Sequence, residues 1–396
     1  METSSIINLM ARPEFYTKIY INGPYEEAGN TRCIVDLLLR KPDILPLIHY
    51  LVLDEYDEGS YRQLLAFDMP NLRSIILQQG GYSTQRLDAE TKKALNAHIL
   101  AKPQLTNFSF RICLDGARMF HIPDAFKSRY EVTLEDIPLF YHPSITRLRI
   151  DFADLSVLGA PSVEPFPYEN LELLDIEFSS YSPEVLRNIL ANTRSLKTIE
   201  LKNNGERPTI DPQVLPQLLQ TCQHSLKVLK LWWTRWSDVY KNGIFFSNFT
   251  ALKFLLIPPK ALFGPYDDDT DFVRVIKERV PPNLKILYLD GLTTDPAAPP
   301  REDGEETLSV VDHKLLQTVM NNLALLPYLR YLVWTGQGRI AEPRDLDILA
   351  DQVGIVCSGV RDGYDMNPNI EWLDTIDSPE DIQKRAVLRE RLYRDD

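Results

Sequence analysis

A short apolar triplet, in outline Leu-x-x-Leu-x-Leu, returns ten times along this chain. The copies begin at Ile48, Leu72, Leu105, Ile145, Leu171, Leu196, Leu226, Leu252, Leu284 and Leu329. Six of the ten place Lys or Arg directly after the first apolar residue, and the cleanest read LKTIEL, LKVLKL and LKILYL from Leu196, Leu226 and Leu284. A weaker copy stands in front, Tyr16–Ile19–Ile21. Successive starts lie 24 to 45 residues apart, and five of the nine intervals fall between 24 and 30. That is room for a strand, a turn and a helix in every unit.

With 44% hydrophobic residues, single triplets arise by accident, so their surroundings carry the weight. Pro stands two residues ahead of the Leu72, Leu105, Ile145, Leu284 and Leu329 copies, and Pro46 precedes Ile48. Pro is tolerated at or just before a strand's first residue, so each marks a loop turning into a strand. The pattern predicts an α/β leucine-rich-repeat solenoid: a curved right-handed array with parallel strands on the concave face and helices on the convex face. The plainer alternative is an ordinary α/β domain with short parallel strands.

Helical spacing fills the intervals. Thr31–Lys41, Thr91–Leu100, Asp271–Arg279, His313–Leu325 and Leu346–Val353 all read as helices. Ser182-Pro183-Glu184 opens another with a capping residue and Pro at the first helical position, and Asp211-Pro212 does the same for a helix through Leu219. Three inserts break the beat near 116–135, 158–169 and 291–309. The solenoid is expected over residues 16–360, after a short N-terminal cap over 1–15. A last strand near Ile355–Val360 precedes residues 361–396, read as a capping helix (Pro379–Tyr393) and tail. The Asn found three residues beyond the triplet in many such repeats occurs once, at Asn204, with Ser179 and Thr234 elsewhere, so the turns must close differently.

Net charge is −13, against the dense basic face that nucleic-acid binding needs. No run of eighteen apolar residues exists, and the opening METSSIINLM lacks a signal's basic head and long apolar stretch. Cys33, Cys113, Cys222 and Cys357 form no paired spacing and read as free thiols in a reducing compartment. An intracellular protein, cytoplasmic or nuclear, is expected, with no membrane or nucleic-acid partner.

Little suggests chemistry. Asp267, Asp269, Asp271 and Glu278 match positions 1, 3, 5 and 12 of a calcium loop, but Phe272 sits where the sharp turn needs Gly. Six scattered histidines form no zinc spacing, and no phosphate-binding or nucleophile motif is present. The expectation is a non-enzyme with no cofactor and no metal.

Strand alternation suggests a binding face instead. With the triplet residues inward, the residue between the last two points outward, as does the one after the triplet. Arg149 with Asp175, and Glu200 with Lys230, then become cross-strand charge pairs. Towards the C-terminal half the outward positions turn aromatic. Trp232, Trp233, Trp236 and Tyr288, flanked by Leu256, are the expected partner-binding residues, because exposed Trp and Tyr are favoured interface anchors. Trp334 falls inward and belongs to the core.

From about Pro13 to Trp334 the chain resembles the repeat portion of fungal F-box/leucine-rich-repeat proteins. ARPEFYTKIYI resembles the segment joining an F-box to its first repeat, and TRCIVDLLLRKPDILPLIHYLVLD resembles the unit that follows. The resemblance implies a substrate receptor of cullin–RING ubiquitin ligases, whose repeats hold a protein target. The F-box, a helical segment of some forty residues, does not fit in the dozen residues ahead of the match. Adaptor binding therefore applies only if an F-box exists upstream, and no functional residue is carried over. The competing class is a repeat-based regulator or enzyme, such as a GTPase-activating solenoid, or a general scaffold.

Overall fold

The computed structural model describes residues 17–21, 29–54, 58–80, 89–113, 130–203, 212–233, 242–293, 307–336 and 344–359. The protein is α/β, with a large parallel sheet of twelve strands whose order follows the chain. It divides into two compact units, residues 1–196 and 197–396.

In the first unit β1 (Lys18–Ile21), β2 (Tyr50–Asp54), β3 (Ser74–Gly80) and β4 (Asn107–Cys113) run parallel, each beside the next. A separate short parallel pair joins β5 (Tyr130–Glu131), at the end of the first insert, to β7 (Ala153–Asp154). The sheet continues from β4 to β6 (Arg147–Asp151) and β8 (Leu173–Glu177). Helices α1 (Gly29–Arg40), α2 (Glu58–Leu65), α3 (Ala89–Leu100), α4 (Ile137–Phe140) and α5 (Pro183–Leu190) alternate with these strands. The second unit holds β9 (Thr198–Asn203), β10 (Val228–Trp233), β11 (Phe254–Ile257), β12 (Ile286–Leu292), β13 (Tyr331–Gly336) and β14 (Val356–Gly359), again parallel and in chain order. Its helices are α6 (Leu215–Leu218), α7 (Pro259–Phe263), α8 (Phe272–Arg279), α9 (Val310–Asn321) and α10 (Arg344–Val353). Among the described residues no helix is long and apolar enough to cross a membrane.

The triplets explain the strands. All three apolar residues of all ten copies are buried, and none is more than 7% exposed. Removing such side chains from water supplies roughly 1.5–3 kcal/mol each, the dominant favourable term here. Register is locked by a repeated backbone pattern. The carbonyl one residue after the first triplet position accepts two consecutive amides from the next strand. Lys197 O takes Lys227 N and Val228 N, Lys227 O takes Lys253 N and Phe254 N, and Lys253 O takes Lys285 N and Ile286 N, all at 2.8–3.0 Å. In the first unit His49 O, Arg73 O and Thr106 O do the same.

The turns close by substitutes for an Asn ladder. Ser179 Oγ accepts Ala153 N at 3.0 Å and donates to Glu177 O at 2.8 Å. On the other side of the strands, Asn71 and Asn283 donate to the Pro46 and Thr250 carbonyls at 2.6 and 2.7 Å, each one unit back. Phe152 and Phe178 hold φ of 52° and 48° just past β6 and β8, with stacked rings 4.8 Å apart. The left-handed backbone costs about 1–2 kcal/mol per residue, offset here by burial of both rings.

Several sequence expectations shift. The Asp211-Pro212 helix is a short 3₁₀ turn over Pro212–Val214 followed by the single turn of α6, because Pro216 follows at once. The 158–169 insert is packed, with Leu158, Phe166 and Tyr168 all at 0% exposure. Of the 116–135 insert, residues 116–129 lie outside the described set, as do 294–306 of the third insert and the Pro379–Tyr393 helix. Two buried polar networks tie inserts to the array. Asp312, at 0% exposure in the first turn of α9, accepts from Thr293 N at 2.8 Å, Thr293 Oγ1 at 2.5 Å and Ser309 Oγ at 2.9 Å, and also from the Tyr266 hydroxyl. In the first unit Lys92 Nζ on α3 meets Asp136 Oδ1 at 2.9 Å, and the two side chains are 5% and 1% exposed. Tyr130 OH, Thr133 N and Thr133 Oγ1 complete the carboxylate at 2.8–3.0 Å.

A buried ion pair adds little against an apolar replacement, but breaking one side strands the other charge. Asp136→Ala is therefore expected to cost about 3–5 kcal/mol, and the paired change Lys92→Met with Asp136→Leu much less. Urea unfolding checks this; equal losses from the single and paired variants would contradict it.

Candidate functional site

The second unit carries a second apolar face, opposite the leucines. Its strands present two further positions of each repeat there: Val228 and Lys230 on β10, Phe254 and Leu256 on β11, Ile286 and Tyr288 on β12, Tyr331 and Val333 on β13. The register sets Lys230 beside Leu256, Leu256 beside Tyr288, and Tyr288 beside Val333. Trp232 extends the row and stands beside Lys202. Val228, Trp232, Phe254, Leu256, Ile286, Tyr288, Tyr331 and Val333 form one buried cluster, with Val356 of β14 packed against it. The Trp232 and Tyr288 rings meet edge to face, centroids 6.0 Å apart.

This arrangement corrects the expectation of exposed aromatic anchors. The structure does bring Trp232, Tyr288 and Leu256 together, but they are 8%, 0% and 0% exposed. The reason is their company. The neighbouring outward position is also apolar in every repeat here, as Val228, Phe254, Ile286 and Tyr331, and these side chains pack with Trp232, Leu256, Tyr288 and Val333 into one buried cluster. That second repeated position is visible in LKVLKL, LKFLLI, LKILYL and LRYLVW, and it was the overlooked signal. The side chains of Trp233 and Trp236 lie outside the described residues. Trp334 is 2% exposed on the leucine side, as its inward position requires.

Polar groups border the cluster. Lys230 Nζ donates to Glu200 Oε2 at 3.2 Å, the two side chains 3% and 19% exposed. In the first unit Arg149 Nε meets Asp175 Oδ2 at 3.3 Å, the matching cross-strand pair. Lys202 Nζ lies 5.9 Å from the centre of the Trp232 ring, within range of a cation–π attraction. Near the end of β12, Thr335 Oγ1 donates to Asp290 Oδ1 at 2.6 Å and accepts from Gly291 N at 3.0 Å. Burial pushes the Asp290 carboxyl above its usual range, with the Thr335 hydrogen bond and the Lys202 charge opposing. Gly291 has φ of +82°, which lets the strand bulge there between Leu289 and Leu292. The partly exposed Glu200, Lys202 and Asp290 form a polar border, while the aromatic floor beside them is closed to solvent. No pair of these groups makes an acid–base or nucleophile arrangement.

An open cavity of about 400 Å³ lies in the first unit, between α2 and α3, lined by Arg62, Leu65, Asp68, His98 and Lys102 among others. Lys102 Nζ meets Asp68 Oδ1 at 2.5 Å, which holds that carboxyl below its usual range. His98 Nδ1 lies 2.9 Å from Leu65 O, so Nδ1 carries the proton. Its Nε2 is buried without a partner. Burial, with repulsion from Lys102 second, holds the His98 ring below its usual pKa. His142, bonded to the Lys102 backbone, is lowered by burial too. In the calcium-like loop the Asp267 carboxylate accepts Thr270 Oγ1 at 3.0 Å and Asp269 N at 3.1 Å, and Asp271 caps α8 through Arg274 N at 3.1 Å. Burial also raises the Cys222 thiol to about 12.

No family model matches the chain, and no curated protein matches its sequence.

Two outcomes follow from this geometry. Tyr288→Ala and Leu256→Ala are expected to lower stability by about 2–5 kcal/mol, as large-to-small changes in a packed core do; thermal melts unchanged from the parent would contradict a sealed face. Because the two histidines titrate lower folded than unfolded, their contribution is complete above about pH 6.5 and is lost as pH falls below it. The paired variant His98→Gln with His142→Gln should flatten the stability profile between roughly pH 6.5 and 5 in urea titrations, whereas an unaltered slope would refute the assignment.

Proposed function

We propose that this chain is a leucine-rich-repeat solenoid that binds a protein partner, of the type used for target recognition by F-box ubiquitin ligases. The observation that carries the reading is the chain-ordered parallel sheet. Every one of the ten leucine triplets opens one strand, the front copy gives β1, and β14 closes the series. An array of that kind grows by adding units and offers a long sheet face. Repeated positions on that face vary in the charge and ring they present, which suits recognition of a particular polypeptide. The resemblance to fungal F-box/leucine-rich-repeat proteins supplies the ligase context. The partly exposed Glu200, Lys202 and Asp290, bordering the buried floor, are the contacts assigned to the partner.

Proximity labelling in the source cell, followed by reconstitution with purified cullin–RING adaptor, separates the parts of this reading. Recovery of a protein that binds the purified chain directly, more weakly after Lys202→Glu at an unchanged melting temperature, supports the recognition role. Unaltered binding by that variant removes this face from the role. A chain that binds its partner yet never retains the adaptor, alone or in cells, removes the ligase context and leaves a repeat scaffold.

A further inference from the structure

The open cavity between α2 and α3, about 400 Å³, has apolar walls and a polar lining that is largely buried. Leu65 and Phe67 line it from the end of α2, and Ala94, Ala97 and Ala101 from α3 and the turn that follows. Three small residues on one helical face leave room that larger side chains would fill. His98 and Lys102, which also line it, are only 6% and 5% exposed. His98 Nδ1 donates to Leu65 O at 2.9 Å, which makes Nε2 an acceptor, and that atom is buried without a partner. Lys102 Nζ is held by Asp68 Oδ1 at 2.5 Å, yet the Asp68 side chain is 82% exposed. A buried ammonium therefore relies on a counterion that stands in water, and such an exposed carboxylate turns aside at little cost. Lys102 and Asp68 both act on the His98 ring, so the three groups form one cluster. The charges around it already cancel. Lys102 balances Asp68, Arg62 at the rim is paired with Glu90, and His142 bonds to the Lys102 backbone. A bare anion entering would leave a negative charge uncompensated, which is costly in a partly buried site. An anion that arrives with a proton leaves none.

We propose that this cavity binds a small monocarboxylic acid with an apolar body, an aryl or short alkyl acid, taken up together with one proton. The ligand carboxylate replaces Asp68 at the Lys102 ammonium, and Asp68 turns out to solvent. His98 Nε2 takes the proton and donates it to the same carboxylate, so each ring nitrogen then has a partner. Two cations, Lys102 and His98, now face two carboxylates, the ligand's and that of Asp68. The apolar body lies against Leu65, Phe67 and the three alanines. Cavities from roughly 300 Å³ upward hold ligands of this kind. In the free protein, burial and the Lys102 charge oppose protonation of His98. A bound carboxylate reverses that balance, so ligand and proton each strengthen the binding of the other. The complex holds one proton more than the free protein and the ionised ligand, and affinity therefore rises as pH falls, by up to about tenfold per unit. The site lies within the first unit and does not depend on the ligase reading.

Calorimetric titration of phenylacetate into the full-length chain tests the proposal, at about pH 8 and about pH 6, where the ligand is ionised. The expected result is binding at least about tenfold tighter at the lower pH, with close to one proton taken up per ligand. Buffers of different ionisation enthalpy supply that count. Neutral phenylacetamide should show neither effect. Ala97→Trp fills the cavity from an exposed position, so it should abolish binding at the parent's melting temperature. His98→Gln should leave weak binding by Lys102 but remove the pH dependence and the proton uptake. No binding of phenylacetate at either pH would overturn the proposal. So would parental affinity in a folded Ala97→Trp chain, which would put the ligand elsewhere, or equal affinity at both pH values without proton uptake. Should His98→Gln fail to fold, the Ala97→Trp titration and the proton count on the parent chain still decide.

Discussion

One backbone arrangement recurs in both units and sets their strands in register: a carbonyl just before a strand receives two successive amides from the start of the next. Because Lys197, Lys227, Lys253 and Lys285 all play this part in the second unit, equivalent residues of consecutive repeats must stand side by side. A slip of one residue would carry every leucine to the opposite face. The hydrogen bonds themselves contribute modestly against water, about 0.5–1.5 kcal/mol each. Their consequence is geometric, since they turn a loose sequence repeat into rows of identical chemistry. One such row is the sealed leucine layer, another the aromatic floor, and a third the line of basic residues.

The two faces of the second unit's sheet differ in kind. The leucine face is buried in every repeat of both units. The opposite face is mixed in the first unit, where Arg149 meets Asp175, and apolar in the second, where Phe254, Ile286 and Tyr331 fill the position that Arg147 and Leu173 occupy earlier. A parallel strand buried on both sides reads as a near-continuous hydrophobic run, and FLLI of β11 is one. Burial of Lys230 within this layer is tolerable because Glu200 lies 3.2 Å away. An uncompensated ammonium there would be strongly destabilising.

Most of the strand layout was legible in the amino acids. Every triplet opened a strand, and α8 begins where Asp271 was read as its cap, since capping depends on a few adjacent residues. The Asp211-Pro212 segment has helical periodicity yet forms only short turns, because Pro216 supplies no backbone donor to continue a helix from Pro212. The short ribbon of β5 and β7 was missed because two-residue strands leave no periodic trace. At the candidate site, alternation correctly grouped Trp232, Leu256 and Tyr288 on one face. It could not tell a face open to solvent from one that is covered, because that depends on what lies above the sheet and not on the strand itself. The cavity beside His98 was invisible for the same reason: Leu65 and Lys102 meet there only through packing of α2 on α3.

Spin-label distances within the second unit test the register most directly. Cysteines placed at Lys197 and Lys253 should lie about two strand spacings apart, near 10 Å, and those at Lys197 and Arg330 about four, near 19 Å, before allowance for the label arms. Distances rising in that order are predicted. A Lys197–Arg330 separation shorter than that of Lys197–Lys253, or one too broad to define, would show that the repeats do not stack in chain order.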